Sequence, residues 1–469
     1  MGVMRFPARL SSLWLLLVPA AVVGGWRLVA AAGTPAAEPV VVIGRCSVFD
    51  AESGAMLPER TVVIRGEHIS DVLGPGERFA APVESRCIDG RGKFVLPGLI
   101  DAHVHLVHVL DLAHVTGDQV LPLYLAAGVT SVRSAGDGIA AATLVARFAA
   151  AHPESSPRVF TCSPLLDADP PLHRDASRAV TDPAQVPALV DDLLQWHVST
   201  VKLYVGTGPG VGRAIIDEAH RRGLFVTAHL GRYSAQQAVA DGIDGLEHIW
   251  SVFNYVIPPE VAGQAGHRGT IDLDHPRCQG LIADLVRHRT FVAPTLAVFR
   301  NMILLPDVPE VRDHPDQVLV PRRLREFWPV YLRQTKCPQG GSLEQRRREF
   351  AKYQELTGRL FRAGVPLLAG TDSPEPQVTP GFALHQELEL LVESGLPPAA
   401  ALRAATLHNA GVLRQQQRLG SIAPGKLADL LVLAANPLDD IRRTRRIEWV
   451  IRGGKPRKPA ELLAQVIKD

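Results

Sequence analysis

The feature that most constrains this chain is a regular alternation, through its central part, of short apolar strand-like runs with longer amphipathic helix-like runs. Strand candidates fall at residues 98–103, 130–134, 158–162, 200–204, 225–229, 245–248, 291–295 and 366–371, and helix-like stretches at 144–151, 186–196, 212–222 and 234–240 lie between several of them. Neighbouring parallel strands need a long crossover, which a helix supplies, so the pattern reads as repeated βαβ units. Eight such strands match a closed barrel. The expectation is an α/β fold with a (β/α)8 TIM barrel over residues 96–414.

The two ends read differently. Residues 40–43, 61–64 and 69–72 are short β-rich runs separated by Gly and acidic turn residues, and the same character returns at 429–433 and 447–451. This predicts a small composite β-sandwich domain from residues 39–95 and 415–460, with the barrel inserted between its halves. Residues 304–348 form a longer, Pro- and Arg-rich stretch than a normal βα connection. It reads as a surface insertion, with a lid over the barrel mouth as the other reading. The basic run Arg346, Arg347, Arg348 and the 442–446 group read as solvated helix faces.

The 469 residues are 46% hydrophobic and 21% charged, enough to bury a large core, and 50 Lys and Arg against 48 Asp and Glu give no field that would recruit a polyanion. Nucleic acid is therefore not an expected partner. At the start, Arg5 and Arg9 precede an apolar run, residues 13–23, interrupted by Pro19 and followed by Ala30, Ala31 and Ala32. That is the layout of a secretory signal peptide over residues 1–32, while Gly24, Gly25 and Arg27 argue against a stable membrane span. The expectation is an exported protein, periplasmic or secreted, with anchoring and membrane association through an uncleaved segment as the alternative. Cys46, Cys87, Cys162, Cys278 and Cys337 are scattered, form no Cys-x-x-Cys pair, and supply at most one or two bridges.

The chemistry starts at Pro97-Gly98-Leu99-Ile100-Asp101-Ala102-His103-Val104-His105. Two imidazoles two residues apart at a strand end point to the same side and can share a metal. A lone His-x-His is a weak sign, but Lys202, His229, His248 and Asp372 recur at the ends of later strand candidates. In a (β/α)8 barrel those ends converge on one face, where active sites sit. Imidazole and carboxylate donors suit zinc, with manganese, iron or cobalt as replacements. Arg232 and Tyr233, just past a strand, are candidate contacts for a substrate carboxylate, with surface residues at a helix start as the alternative. His108 and His114 fall off the strand and are set aside.

The stretches PGLIDAHVHL, GVTSVRSAGD, VKLYVGTG, VTAHLG, GLEHIW, AGTDSP, LHQELELLVESGLPPAAALRAATLHNA and RLGSIAPGKLADLLVLAANPLDDI resemble the metal-dependent amidohydrolase superfamily, in its imidazolonepropionase-like and Xaa-Pro-dipeptidase-like branch. The resemblance covers nearly the whole chain after residue 32. It implies that His103, His105 and Asp372 hold one divalent metal, that His229 and His248 hold a second, and that Lys202, as N6-carboxylysine, bridges the two. It also implies Asp372 as the catalytic proton acceptor, and places His385 and Glu387 on a helix where a structural role is the simpler reading. After His229 this chain reads Leu230-Gly231-Arg232-Tyr233, where dipeptidase-like relatives carry an aromatic sooner, so their substrate pocket does not transfer.

The expected function is hydrolysis of an amide-type C–N bond, in a small peptide such as an Xaa-Pro dipeptide or in a cyclic amide, by metal-activated hydroxide. Two alternatives stand beside it. One is a mononuclear deaminase or cyclic-amide hydrolase with unmodified Lys202 paired to Asp372. The other is a non-catalytic exported binding protein that kept the fold.

Overall fold

A computed structural model of the chain describes residues 38–264, 266–305, 307–334 and 340–466. Residues 1–32, where a signal peptide is expected, and Cys337 lie outside the described residues. The other four cysteines are unpaired thiols. Among the described residues no helix is long and apolar enough to cross a membrane.

The N-terminal part forms β1 (Val40–Asp50), β2 (Ala55–Arg65), β3 (His68–Leu73), β4 (Arg86–Asp89) and β5 (Phe94–Pro97). The central part contributes β6 (Leu99–Val104), β7 (Val129–Ser134), β8 (Arg158–Asp167), β9 (Ser177–Ala179), β10 (Thr200–Leu203), β11 (Phe225–Ala228), β12 (Gly245–Glu247) and β13 (Phe291–Ala293). The chain ends with β14 (Leu430–Leu433), β15 (Ile447–Arg452) and β16 (Lys455–Arg457).

The two ends meet as expected. They make one mixed eight-stranded sheet in the order β16-β15-β14-β5-β1-β2-β3, with β4 beside β1. The join is the antiparallel pair β5–β14, from Pro97 opposite Leu430 to Phe94 opposite Leu433. Ile43, Ile64, Ile69, Ile88, Leu430 and Ile451 share one core, so the sheet closes over its own apolar face. The strands β4, β5, β9 and β16, three or four residues each, show no alternation that marks them in the sequence.

In the second sheet seven strands run parallel in the order β13-β12-β11-β10-β8-β7-β6. Every residue of β6, β7, β10, β12 and β13 is buried, the pattern of strands covered on both faces. The predicted eighth strand is not a regular one. Residues 366–373 touch β13 through a single bridge, Val292 with Leu367, and β6 through another, Val104 with Ser373. Backbone bonds Leu368 N to Val292 O (3.0 Å) and Ala102 N to Ala369 O (3.0 Å) still close the ring. Asn409 holds the seam by donating its amide to both Ile100 O (2.6 Å) and Ala369 O (2.7 Å). Gly370 is needed there, since a Cβ would sit 2.8 Å from the Cβ of His103.

The outer helices follow from one-sided apolar spacing. Helix Val186–Gln195 buries Val186, Leu189, Val190 and Leu193, one stripe at helical period, and helix Pro209–Arg221 buries Ile215, Ile216 and Ala219. The insertion folds as helices Pro309–Arg312 and Arg322–Gln334 and the start of Leu343–Ala363. Buried Trp328 ties it down, its indole N–H donating to Pro374 O at 2.9 Å.

Candidate active site

His103 lies inside β6 and His105 just past it, so both rings leave the same side of the strand toward the barrel mouth. Asp372 arrives from the closing segment. Its Oδ1 is 3.3 Å from His103 Nε2 and 3.2 Å from His105 Nε2, and its Oδ2 is 3.8 Å from His248 Nδ1. The ligand atoms of His103, His105 and Asp372 all lie within 4.8 Å of one another, a group able to hold a metal ion. The His248 ring stands 4.6 Å from those of both His103 and His229. Lys202, on β10, is fully buried and lines the same cavity. The structure thus brings together all six positions expected at the barrel mouth.

Three of the turns at this face are held in the left-handed region by residues other than glycine: His248 at φ 64°, Thr295 at φ 49° and Asp372 at φ 62°. Such backbone persists where the surroundings fix it, and it clusters at functional sites.

Supporting groups orient the rings. His103 Nδ1 donates to Glu247 Oε2 at 2.7 Å, and the other oxygen of Glu247 pairs with Arg133, all of them fully buried. Arg133 also donates its Nε to Ala102 O at 2.5 Å, gripping the backbone beside His103. Asp137 accepts from the backbone N–H of Leu106 (2.8 Å) and His108 (3.0 Å), and its Oδ1 stands 3.6 Å from His105 Nδ1. His248 Nδ1 meets Thr295 Oγ1 at 2.8 Å. Carboxylate–imidazole pairs of this kind set the tautomer of a metal-ligating histidine and raise its basicity.

The fields are consistent with that arrangement. Burial would raise Glu247, but Arg133, Lys202 and His103 hold it well below the usual carboxylate range. Burial pulls His229 down to about 3 and takes His248 well below its ordinary value, so both rings are neutral. Burial also lowers the Lys202 ammonium, against the opposing pull of Glu247. For His105 burial is outweighed by Asp137 and Asp372, which lift it to about 10, so a metal ion at this ring would bind with release of a proton. With Nδ1 of His103 bound to Glu247, its Nε2 faces an oxygen of Asp372 at 3.3 Å. Two acceptors 3.3 Å apart are favourable only with a proton or a cation between them. The donor set therefore fits a divalent metal.

The site opens into a cavity of about 480 Å³. The insertion contributes Tyr331, Gly340 and Arg346 to the lining of this cavity. Arg346 departs from the solvated reading of its basic run: it is buried, and it donates to Ile303 O at 3.0 Å and pairs with Asp307. His108, set aside in the sequence, lines the cavity in an arc of rings, 4.4 Å from His173. His173 Nε2 is in turn 3.1 Å from the Tyr204 hydroxyl.

Arg232 and Tyr233 are not brought to the cavity, which corrects the substrate contact expected of them. Tyr233 is buried in the outer layer against Gly212 and donates to Asp241 Oδ2 at 2.6 Å, while Arg232 is exposed. The helix that follows begins at Ala235 with Ser234 as its cap, and this turn swings Tyr233 away from the mouth. His385 and Glu387 are structural. The ring nitrogens of His385 meet Thr444 Oγ1 (2.9 Å) and Ala127 O (3.0 Å), and Glu387 accepts from Ala297 N at 2.8 Å.

Missed in the sequence were Arg133, Asp137, Glu247, His173 and Tyr204. For Arg133 and Glu247 the available signal was a single charge inside an otherwise uncharged strand, as in VTSVRS of β7 and GLE of β12.

Comparison with known proteins agrees with the geometry. The imidazolonepropionase of Geobacillus thermodenitrificans is 26% identical over 454 residues, spanning 92% of this chain and 95% of that protein. A crystal structure of a prolidase candidate from Bifidobacterium longum has a TM-score of 0.68 at 26% identity, covering 92% of this chain and 98% of that one. That of a Xaa-Pro dipeptidase with methionine bound in its active site has a TM-score of 0.66 at 21% identity, covering 89% and 99%, and shares the fold. A sequence profile of the Amidohydrolase family matches residues 94–457, and the chain belongs to that family as a hydrolase acting on carbon–nitrogen bonds.

Proposed function

We propose that the chain hydrolyses the amide C–N bond of a small molecule, an Xaa-Pro-type dipeptide or a cyclic amide, with two divalent metal ions, zinc by donor type. His103, His105 and Asp372 would hold one ion and His229 and His248 the other, with Lys202 carboxylated between them. Metal bound there supplies a Lewis acid and lowers the pKa of a bound water. The chain's own part is to orient and to move protons. Glu247, Arg133 and Asp137 fix the rings of His103 and His105, and Asp372 accepts the proton of the attacking water and returns it to the leaving nitrogen. The observation that carries this reading is the Nε2 of His103, buried and directed at Asp372 while Nδ1 is bound to Glu247.

The buried Lys202 amine, in the field of Glu247 and Asp372, also suits a mononuclear enzyme with unmodified lysine. Elemental analysis separates the two. About two metal ions per chain are expected of the bridged pair, one of the mononuclear site, and none under metal-replete conditions of a binding protein that lost catalysis. Residues 1–32 we propose as an export signal, which N-terminal sequencing of the mature protein would test.

A further inference from the structure

The cavity has two unlike sides. One, beyond His105 and His229, carries the polar rings of His108, His173 and Tyr204. The other, beyond His248, is carbon. Phe299 stands with its ring 5.9 Å from that of His248, and Trp250 lies parallel to Phe299 within 3°, their centres 6.3 Å apart. Tyr353 meets Phe299 edge-on at 5.6 Å. Met302, on the same helix as Phe299 (Leu296–Leu304), continues the wall.

Two observations say what fits there. Trp250, Phe299 and Met302 are only half-buried, so this wall leaves apolar surface uncovered inside the site. The charge at its far end is already engaged. Arg268 lies 4.1 Å over the Trp250 ring, donates to Asn254 Oδ1 at 3.0 Å and stands 3.7 Å from Glu349. A polar substituent laid against these rings would lose its water to carbon, whereas an aromatic one would cover exposed apolar surface.

We propose that the wall of Trp250, Phe299, Met302 and Tyr353 receives a large apolar side chain of the substrate, so that the preferred substrates are amides bearing an aromatic or bulky aliphatic group next to the scissile bond. This rests on the amide-hydrolase reading above. The cavity volume admits such a molecule, since pockets of roughly 300–1,000 Å³ take drug-sized ligands.

The test uses the full metal-loaded chain and two matched series, Ala-Pro, Leu-Pro and Phe-Pro, and N-acetyl-Ala, N-acetyl-Leu and N-acetyl-Phe. They place the variable group on opposite sides of the bond. In at least one series kcat/KM should rise about tenfold or more from the Ala to the Phe member, the gain expected for burying a phenyl ring. In Phe299→Ala that Phe-to-Ala ratio should fall by at least about fivefold. The ratio does not depend on how much of the variant is active. Ratios near one in both series, or a ratio unchanged in Phe299→Ala, overturn the proposal. If no compound is hydrolysed, the amide reading fails by itself, and calorimetric binding of the same compounds decides the pocket. Tighter binding of the Phe member that is lost in Phe299→Ala supports it, and equal binding overturns it.

Discussion

Asp372→Asn is expected to lower kcat by about 10²- to 10⁴-fold, the usual contribution of a positioned general base, while the protein stays folded. Asparagine keeps the shape and one carbonyl oxygen near His103 and His105 but cannot take a proton. The backbone argues for survival of the fold. Residue 372 sits at φ 62° with its N–H donating to His103 O at 2.8 Å, and Asn is among the few residues that accept this conformation readily. The thermal midpoint should therefore move by only a few degrees while turnover collapses. Near-normal turnover in the variant would remove Asp372 from proton transfer.

The second large effect is on stability. Arg133→Met should cost about 3–5 kcal/mol, because it leaves the buried carboxylate of Glu247 without its strongest partner. It also removes the bond from Arg133 Nε to Ala102 O, beside a ring that must face Asp372. Urea denaturation measures the loss. The double variant Arg133→Met/Glu247→Gln should lose less than the sum of the single changes, since the charge that Arg133 compensates is gone. A cost under about 1 kcal/mol for Arg133→Met would mean that Arg133 is not what compensates the Glu247 charge.

These two residues also mark how far the sequence could be read. Asp372 was legible because it ends an apolar run in Gly370-Thr371-Asp372, and the same logic found His103, His105, Lys202, His229 and His248. Each stands at a strand end, and barrel topology makes strand ends converge. Arg133 and Glu247 were not legible as a pair. They lie on different strands, and only the closed sheet turns them toward one point beneath His103. Residues past the strand ends were harder still. Tyr204, directly after β10, reaches the cavity, whereas Tyr233, five positions beyond the end of β11, is carried into the outer helix layer. Strand period fixes where a side chain points within a strand and says nothing about the turn that follows. The eighth strand illustrates the same limit. Its apolar run was visible, but Gly370 and the left-handed turn at Asp372 leave it only isolated bridges.

The Arg346 run shows the opposite error. Three consecutive arginines look like a solvated face, but a helix turns by about 100° per residue, so one of the three can face inward. Arg346 is that one, and it satisfies the carbonyls of Ile303 and Leu305 where the insertion leaves the barrel.

The most direct test of a metal-dependent amide hydrolase is amine release from Phe-Pro or N-acetyl-Phe by the metal-loaded protein, before and after chelation. Release that stops on removal of metal and returns when zinc is added back is the predicted result. Release that continues in metal-free protein would contradict it.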